Sequence, residues 1–179
     1  MTDYRIDTIL PDKVVKAARR VIEANREAGL HIAMAESCTG GLVGAALTEI
    51  PGSSDVFDAS FATYSNEAKT RLLDVHPDLI ETFGAVSPAV AWAMATGAVE
   101  RSGADVAVSV TGVAGPGGAS EKKPVGTVVF AKARRGDDPS TVSADQQLFT
   151  DNGRGGVRLQ AALWALELLM PDGEVSPGP

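Results

Sequence analysis

The residues able to do chemistry fall in four short segments, each at the edge of an apolar run. The first, Ala35-Glu36-Ser37-Cys38-Thr39-Gly40-Gly41, reads as a strand end running into a helix start. Glycines there let a substrate approach the backbone, and free N–H groups at a helix start favour an anion or a developing oxyanion. A hydroxyl at such a turn, Ser37 or Thr39, could act as a nucleophile if a base lies nearby, or could simply cap the helix. Cys38 is a rival, because helix N-termini lower thiol pKa values. The plainer role of a lone cysteine is buried packing.

The second segment, Thr63-Tyr64-Ser65-Asn66-Glu67-Ala68-Lys69, again passes from strand to helix. On the helix Lys69 would lean back toward the N-terminus and could share a cleft with Tyr64. Tyr and Lys can carry protons in place of histidine, provided the cleft lowers the Lys pKa from ~10.4 toward ~7–8. A solvated lysine and a tyrosine covering the core are the alternative. The third segment, Val110-Thr111-Gly112-Val113-Ala114-Gly115-Pro116-Gly117-Gly118, fits neither a Walker A pattern nor a G-x-G-x-x-G that opens a helix. A glycine loop leaving a buried strand is nonetheless where α/β folds place ligands, although a surface turn would look the same. The fourth segment, Asn152 to Gln160, sets Arg154 and Arg158 four apart on one helix face. Guanidinium forks suit phosphate, and on an acidic protein they also make surface ion pairs. Taken together, the segments describe one site: a hydroxyl, a Lys/Tyr pair, glycines, and arginines fit for an anion.

The elements that must position these groups follow from periodicity. Lys13 to Ala28 sets Val14, Ala18, Val21 and Ile22 on one face and ends at Gly29, which predicts a helix. A strand is expected over His31 to Ala35, a helix over Thr39 to Glu49, a strand over Val56 to Tyr64 and a short helix over Glu67 to Leu73. A helical turn runs from His76-Pro77 through Phe83. Ser87-Pro88 then supplies an N-cap and a first-turn proline for a helix reaching Ser102. That helix is apolar nearly all round, so it is expected either to be buried or to sit at a subunit contact. Strands are expected over Asp105 to Val110, Val125 to Lys132 and, more polar and edge-like, Ser143 to Thr150, with a closing helix from Gly155 to Met170. Helices and strands alternate and then strands follow one another, which predicts an α/β fold with a mixed sheet covered on both faces. Residues 13–170 are expected to form one domain, between an arm over 1–12 and a tail over 171–179.

Composition limits the chemistry. The 179 residues are 44% hydrophobic and carry 16 basic and 23 acidic side chains, a net charge of −7. That balance speaks against a sequence-independent grip on nucleic acid. No apolar stretch reaches the ~18 residues of a membrane span, and no secretory leader opens the chain, so a cytoplasmic location is expected. One Cys and two His are too few for a closed Cys/His zinc site. Neither His31 nor His76 has a catalytic motif around it, so neither metal nor cofactor is expected.

Ala35 to Gly41, Tyr64 to Lys69, Gly84-Ala85-Val86-Ser87, Thr111 to Pro116 and Glu121-Lys122-Lys123-Pro124-Val125-Gly126-Thr127-Val128 resemble, in the same order, the C-terminal domain family of the competence-damage-inducible protein CinA. The resemblance runs from about residue 13 to about residue 170. It implies a three-layer α/β/α sandwich, a homodimer, and nicotinamide-nucleotide amidase activity of the PncC type, which converts nicotinamide mononucleotide to nicotinate mononucleotide and ammonia in pyridine nucleotide recycling. Some relatives carry an added molybdopterin-binding-like domain with pyrophosphatase activity, which is not expected here. By position, Ser37 matches the family's nucleophile, Tyr64 and Lys69 its proton-transfer partners, and Thr111, Gly112 and Gly115 its substrate loop. Cys38, Thr39, Gly40 and Gly41 fall on the turn beside the nucleophile. Arg154, Arg158 and Gln160 look like the closing-helix residues near the nucleotide. One departure is visible: the family's Gly-Asp/Asn-Arg order before that helix is here the longer Asp151-Asn152-Gly153-Arg154.

The mechanism this implies is metal-free amide hydrolysis. Neutral Lys69, linked through Tyr64, takes the Ser37 proton; the oxyanion rests on backbone N–H groups of the Cys38–Gly41 turn; Arg158, seconded by Arg154, and the glycine loop hold the 5′-phosphate. The competing class is a non-catalytic nucleotide-binding or partner-binding module.

Overall fold

The computed structural model describes residues 8–138, 143–150 and 152–172. In chain order the elements are α1 (Asp12–Ala28), β1 (Ile32–Glu36), α2 (Leu42–Thr48), β2 (Phe57–Ala62), α3 (Asn66–Leu73), α4 (Pro77–Phe83), α5 (Pro88–Ser102), β3 (Val106–Gly112), β4 (Thr127–Arg134), β5 (Ser143–Leu148) and α6 (Gly153–Leu168). Each element forms close to where its sequence pattern places it. Helix α1 buries Val14, Ala18, Val21 and Ile22 and stops at Gly29 in a left-handed conformation. Helix α5 starts where the Ser87 hydroxyl accepts the Val90 N–H and Pro88 fills the first turn.

The sheet order is β2-β1-β3-β4-β5. Strands β2, β1 and β3 run parallel, and β4 and β5 add antiparallel. Strand β1 is buried at every residue, as a strand flanked by neighbours and covered on both faces must be. Strand β5 is exposed along most of its length, the expected edge. Helices α1, α2 and α6 pack Val14, Ile22, Leu47, Val157 and Leu166 on one face of the sheet around Met34, Val108 and Phe130. On the other face α5 brings Val90, Met94 and Ala98 against Ala33, Ala107 and Val129, with Leu73 of α3 beside them. The fold is therefore the three-layer α/β/α sandwich, and packing on the sheet accounts for the apolar character of α5.

Two differences from the sequence expectation bear on the site. Helix α2 starts at Leu42, not Thr39, because Gly40 and Gly41 adopt φ of 61° and 91°, outside the right-handed helix. Residues 37–41 are thus a turn standing ahead of the helix. Strand β3 continues to Gly112, which carries Thr111 into the sheet. The arm expected over 1–12 is helical at Asp12 and otherwise falls mostly outside the described residues, as does the tail from residue 173.

Candidate active site

The carboxyl ends of three parallel strands open on one cleft. Strand β1 runs out into Ser37, β2 into Thr63 and Tyr64, and β3 through Thr111 and Gly112. This end of a parallel sheet is where α/β proteins bind ligands. The backbones of the exits are laced together: the Ser37 N–H donates to the Val110 carbonyl at 2.9 Å and the Thr63 N–H to the Glu36 carbonyl at 2.8 Å. Between the strand ends lies a cleft of about 250 Å3, lined by Ser37, Cys38, Tyr64, Lys69, Thr111 and Arg154, together with Asn66, Ala85, Val86, Gly112 and Ala114.

On its floor, Lys69 Nζ lies 3.0 Å from Ser37 Oγ and donates to the Thr63 carbonyl at 2.9 Å. The lysine arrives there because the Ser65 hydroxyl caps α3, accepting the Ala68 N–H, which sets Lys69 in the helix's first turn with its side chain directed back to the sheet. It is 1% exposed. Burial holds its amine below the ordinary 10.5, against the opposing pulls of Cys38 and Glu67. A buried lysine against a serine hydroxyl is a base–nucleophile pair.

Cys38, next in the chain, belongs to the core beneath α2. Burial pushes its thiol up to about 12, with the neighbouring Glu36 adding to the rise, so a thiolate is suppressed at neutral pH. The Thr39 hydroxyl is fully buried and donates to Glu36 Oε2 at 2.7 Å, turned away from the cleft. Of the three candidate nucleophiles in this turn, geometry therefore leaves Ser37 beside a base.

Several sequence-derived placements change. Tyr64 is 64% exposed, and its hydroxyl accepts from Arg154 at 2.7 Å. Lys69 meets Ser37 directly, so a relay through Tyr64 has no gap to bridge. Arg154 also donates to the Gly115 carbonyl at 2.8 Å and so straps the cleft mouth between two loops. Arg158 turns elsewhere and donates to the Thr39 carbonyl at 2.7 Å, supporting the nucleophile turn. Gln160 bonds the carbonyls of Thr150 and Gly156. Thr39, Gly40, Gly41, Arg158 and Gln160 thus stand behind the cleft wall. The backbone donors of Gly40 and Gly41 are engaged, to the Ser37 carbonyl and the Glu36 carboxylate, and so are not available to an oxyanion. Thr111 donates its hydroxyl to the Ala85 carbonyl and ties the glycine loop that follows it to the loop before α5. Both histidines lie outside the lining: His31, before β1, pairs with Asp58, and His76 caps α4.

The residue that sequence reasoning passed over is Glu36. It was visible as the single charge ending an otherwise apolar strand, Ile32-Ala33-Met34-Ala35-Glu36, and it is fully buried behind Ser37.

An α/β/α sandwich with a lysine-paired serine at the carboxyl ends of its parallel strands defines the class. The chain belongs to the CinA C-terminal domain family, whose profile matches residues 14–172. A nicotinamide-nucleotide amidohydrolase PncC from Enterobacter agglomerans is 52% identical over 139 residues, covering 78% of this chain and 82% of that protein. A competence-damage inducible protein of Symbiobacterium thermophilum is 51% identical over 148 residues, 80% of this chain but 34% of that protein. The chain spans only about a third of such longer relatives. Among solved structures, the competence/damage inducible protein CihA of Agrobacterium tumefaciens superposes with a TM-score of 0.85 at 46% identity, covering 90% of this chain and 96% of that one. A CinA superfamily protein from Escherichia coli gives 0.81 at 32%, covering 92% and 94%. Among the described residues no helix is long and apolar enough to cross a membrane.

Proposed function

We propose that this protein hydrolyses the carboxamide of nicotinamide mononucleotide to nicotinate mononucleotide and ammonia, acting in pyridine nucleotide recycling through one amidase domain over residues 13–170. The observation that carries the reading is the 3.0 Å approach of buried Lys69 to Ser37; the name of the Enterobacter agglomerans relative supplies the substrate.

In the neutral amine, one N–H donates to the Thr63 carbonyl, which turns the lone pair toward the Ser37 hydroxyl. Ser37 Oγ attacks the carboxamide carbon as Lys69 takes its proton. The N–H groups of this turn not taken by the Glu36 carboxylate or the Ser37 carbonyl are those of Cys38 and Thr39, which lie against the Cys38 thiol; the oxyanion draws on them in its place, and one such donor is worth ~3–4 kcal/mol in the transition state. The Lys69 ammonium then protonates the departing nitrogen, and ammonia leaves an acyl-serine. Water, losing a proton to Lys69, attacks the ester, and the proton returns to Ser37. Arg154, at the mouth, exchanges the Tyr64 hydroxyl and Gly115 carbonyl for the 5′-phosphate, a charge-assisted contact.

Purified protein is expected to release ammonia from nicotinamide mononucleotide and to yield the acid product, at a rate unchanged by a chelator. Absence of turnover across pH ~6–9, where a lysine base of this kind works, would leave a nucleotide-binding module. A chelator-sensitive rate would overturn the metal-free mechanism.

A further inference from the structure

The carboxylate of Glu36 accepts five hydrogen bonds. Oε2 takes the Thr39 hydroxyl at 2.7 Å and the N–H groups of Gly41 and Val43 at 3.1 Å each; Oε1 takes the Gly44 N–H at 2.8 Å and the Ser60 hydroxyl at 2.9 Å. An ordinary helix cap uses one side-chain oxygen and one or two N–H groups from its own helix start. Here both oxygens are occupied, and one donor comes from β2, a separate strand. The site is built to admit it. Gly44 faces Ser60 so closely that a Cβ there would stand 2.8 Å from the Ser60 Cβ and Oγ and 3.4 Å from Glu36 Oε1. The chain from Glu36 to Gly44 therefore folds back around one buried carboxylate, with Ser37 at the mouth of that loop.

Charge makes the arrangement demanding. A buried carboxylate without a cationic partner is tolerable only when dipoles surround it, and the N–H groups at the start of α2 supply them. Those donors are then no longer free to stabilise a substrate anion or a thiolate at Cys38. The turn is locked on its other side by Arg158, which donates to the Thr39 carbonyl.

We propose that Glu36 is the positioning residue of the nucleophile: its carboxylate clamps the Ser37 turn onto α2 and β2, and so holds Ser37 Oγ at the Lys69 amine. Among the described residues Glu36 is not part of the cleft lining, and none of the five hydrogen bonds to its carboxylate comes from Ser37. The inference rests on the hydrolase reading above in that it takes Ser37 as the nucleophile.

The test pairs Glu36→Gln with Ser60→Ala and follows two rates beside thermal stability. One is ammonia release from nicotinamide mononucleotide, resolved into kcat and KM. The other is labelling of Ser37 by a small fluorophosphonate, read by intact mass, which depends on the nucleophile and not on which amide is the substrate. In Glu36→Gln an NH2 group replaces one oxygen and faces donors, so the clamp opens. The expected result is a fall in kcat and labelling rate of about tenfold or more with KM changed less than about twofold, since misplacement of a reacting atom costs rate. Ser60→Ala removes one of the donors from outside the turn, and a fall of about threefold in both rates is expected. A cooperatively folded Glu36→Gln with wild-type kcat and wild-type labelling would overturn the proposal. Should Glu36→Gln fail to fold, Ser60→Ala at wild-type rates would overturn it. If the wild type releases no ammonia yet labels at Ser37, the substrate reading fails alone and the labelling rates still decide the role of Glu36.

Discussion

Ser37 and Lys69, at 9% and 1% exposure, make the floor of the cleft, whereas Tyr64, at 64%, and the exposed Arg154 make its rim. The two are held in different ways. Floor groups are fixed by strand ends, by the Thr63 carbonyl and by the turn around Glu36, all within the sheet and its flanking helices. The rim is joined by two hydrogen bonds from one guanidinium to separate loops. A buried pair keeps its geometry and interacts in a medium of low dielectric, while an exposed contact exchanges readily with water or a ligand. In the proposed function this contrast puts bond-making at the floor and recognition at the rim, although tyrosine and lysine look like equal partners in the sequence.

The largest effects should come from the floor. Lys69→Met is expected to lower kcat by about a thousandfold or more, as loss of a catalytic base does when nothing replaces it. Lys69→Arg should not rescue it, because a guanidinium does not deprotonate in a protein. The sign of the pH dependence follows from burial. In the proposed mechanism the neutral amine is the base, and burial lowers its pKa from 10.5, so kcat/KM should rise with pH and level off below the ordinary lysine range. A midpoint at or above that range would mean that burial does not tune this lysine. At the rim, Arg154→Ala should raise KM by about tenfold while leaving kcat within about threefold, consistent with loss of one charge-assisted contact of ~1.5–3 kcal/mol partly replaced by water. A kcat-dominated loss would move Arg154 from recognition into the chemistry. Tyr64→Phe should have the smallest effect, less than about fivefold on kcat/KM, since the lost hydroxyl contact is exposed. A loss as large as that of Lys69→Met would restore the tyrosine relay and erase the distinction between floor and rim.

What is legible in the sequence is whatever is encoded locally. Ser87-Pro88 and Gly29 mark helix ends by backbone chemistry alone, and the alternation of elements predicts the covered sheet. The convergence of Ser37, Lys69 and Thr111 is legible because Ser37 and Thr111 stand at the ends of strands expected in one sheet and Lys69 lies in the first turn of the helix that follows a third. Long-range choices are not. Ser60 reaches Glu36 across 24 positions and Arg154 reaches Tyr64 across 90, and no local pattern selects those partners. Arg154 and Arg158 share a helix face, yet one straps the cleft and the other braces the turn behind it, a divergence set by loops that the spacing of four cannot describe. The delayed start of α2 was missed because glycine permits both helical and left-handed conformations; only the pull of Glu36 on the Gly41 N–H shows which is used.

The central claim, a serine made reactive by a buried lysine beside an inert thiol, is tested most directly by ammonia release from nicotinamide mononucleotide in Ser37→Ala and Cys38→Ala measured side by side. The account predicts that Ser37→Ala abolishes release while Cys38→Ala stays within about threefold of wild type, as expected where the thiol only packs. Activity kept by Ser37→Ala and lost in a folded Cys38→Ala would contradict it.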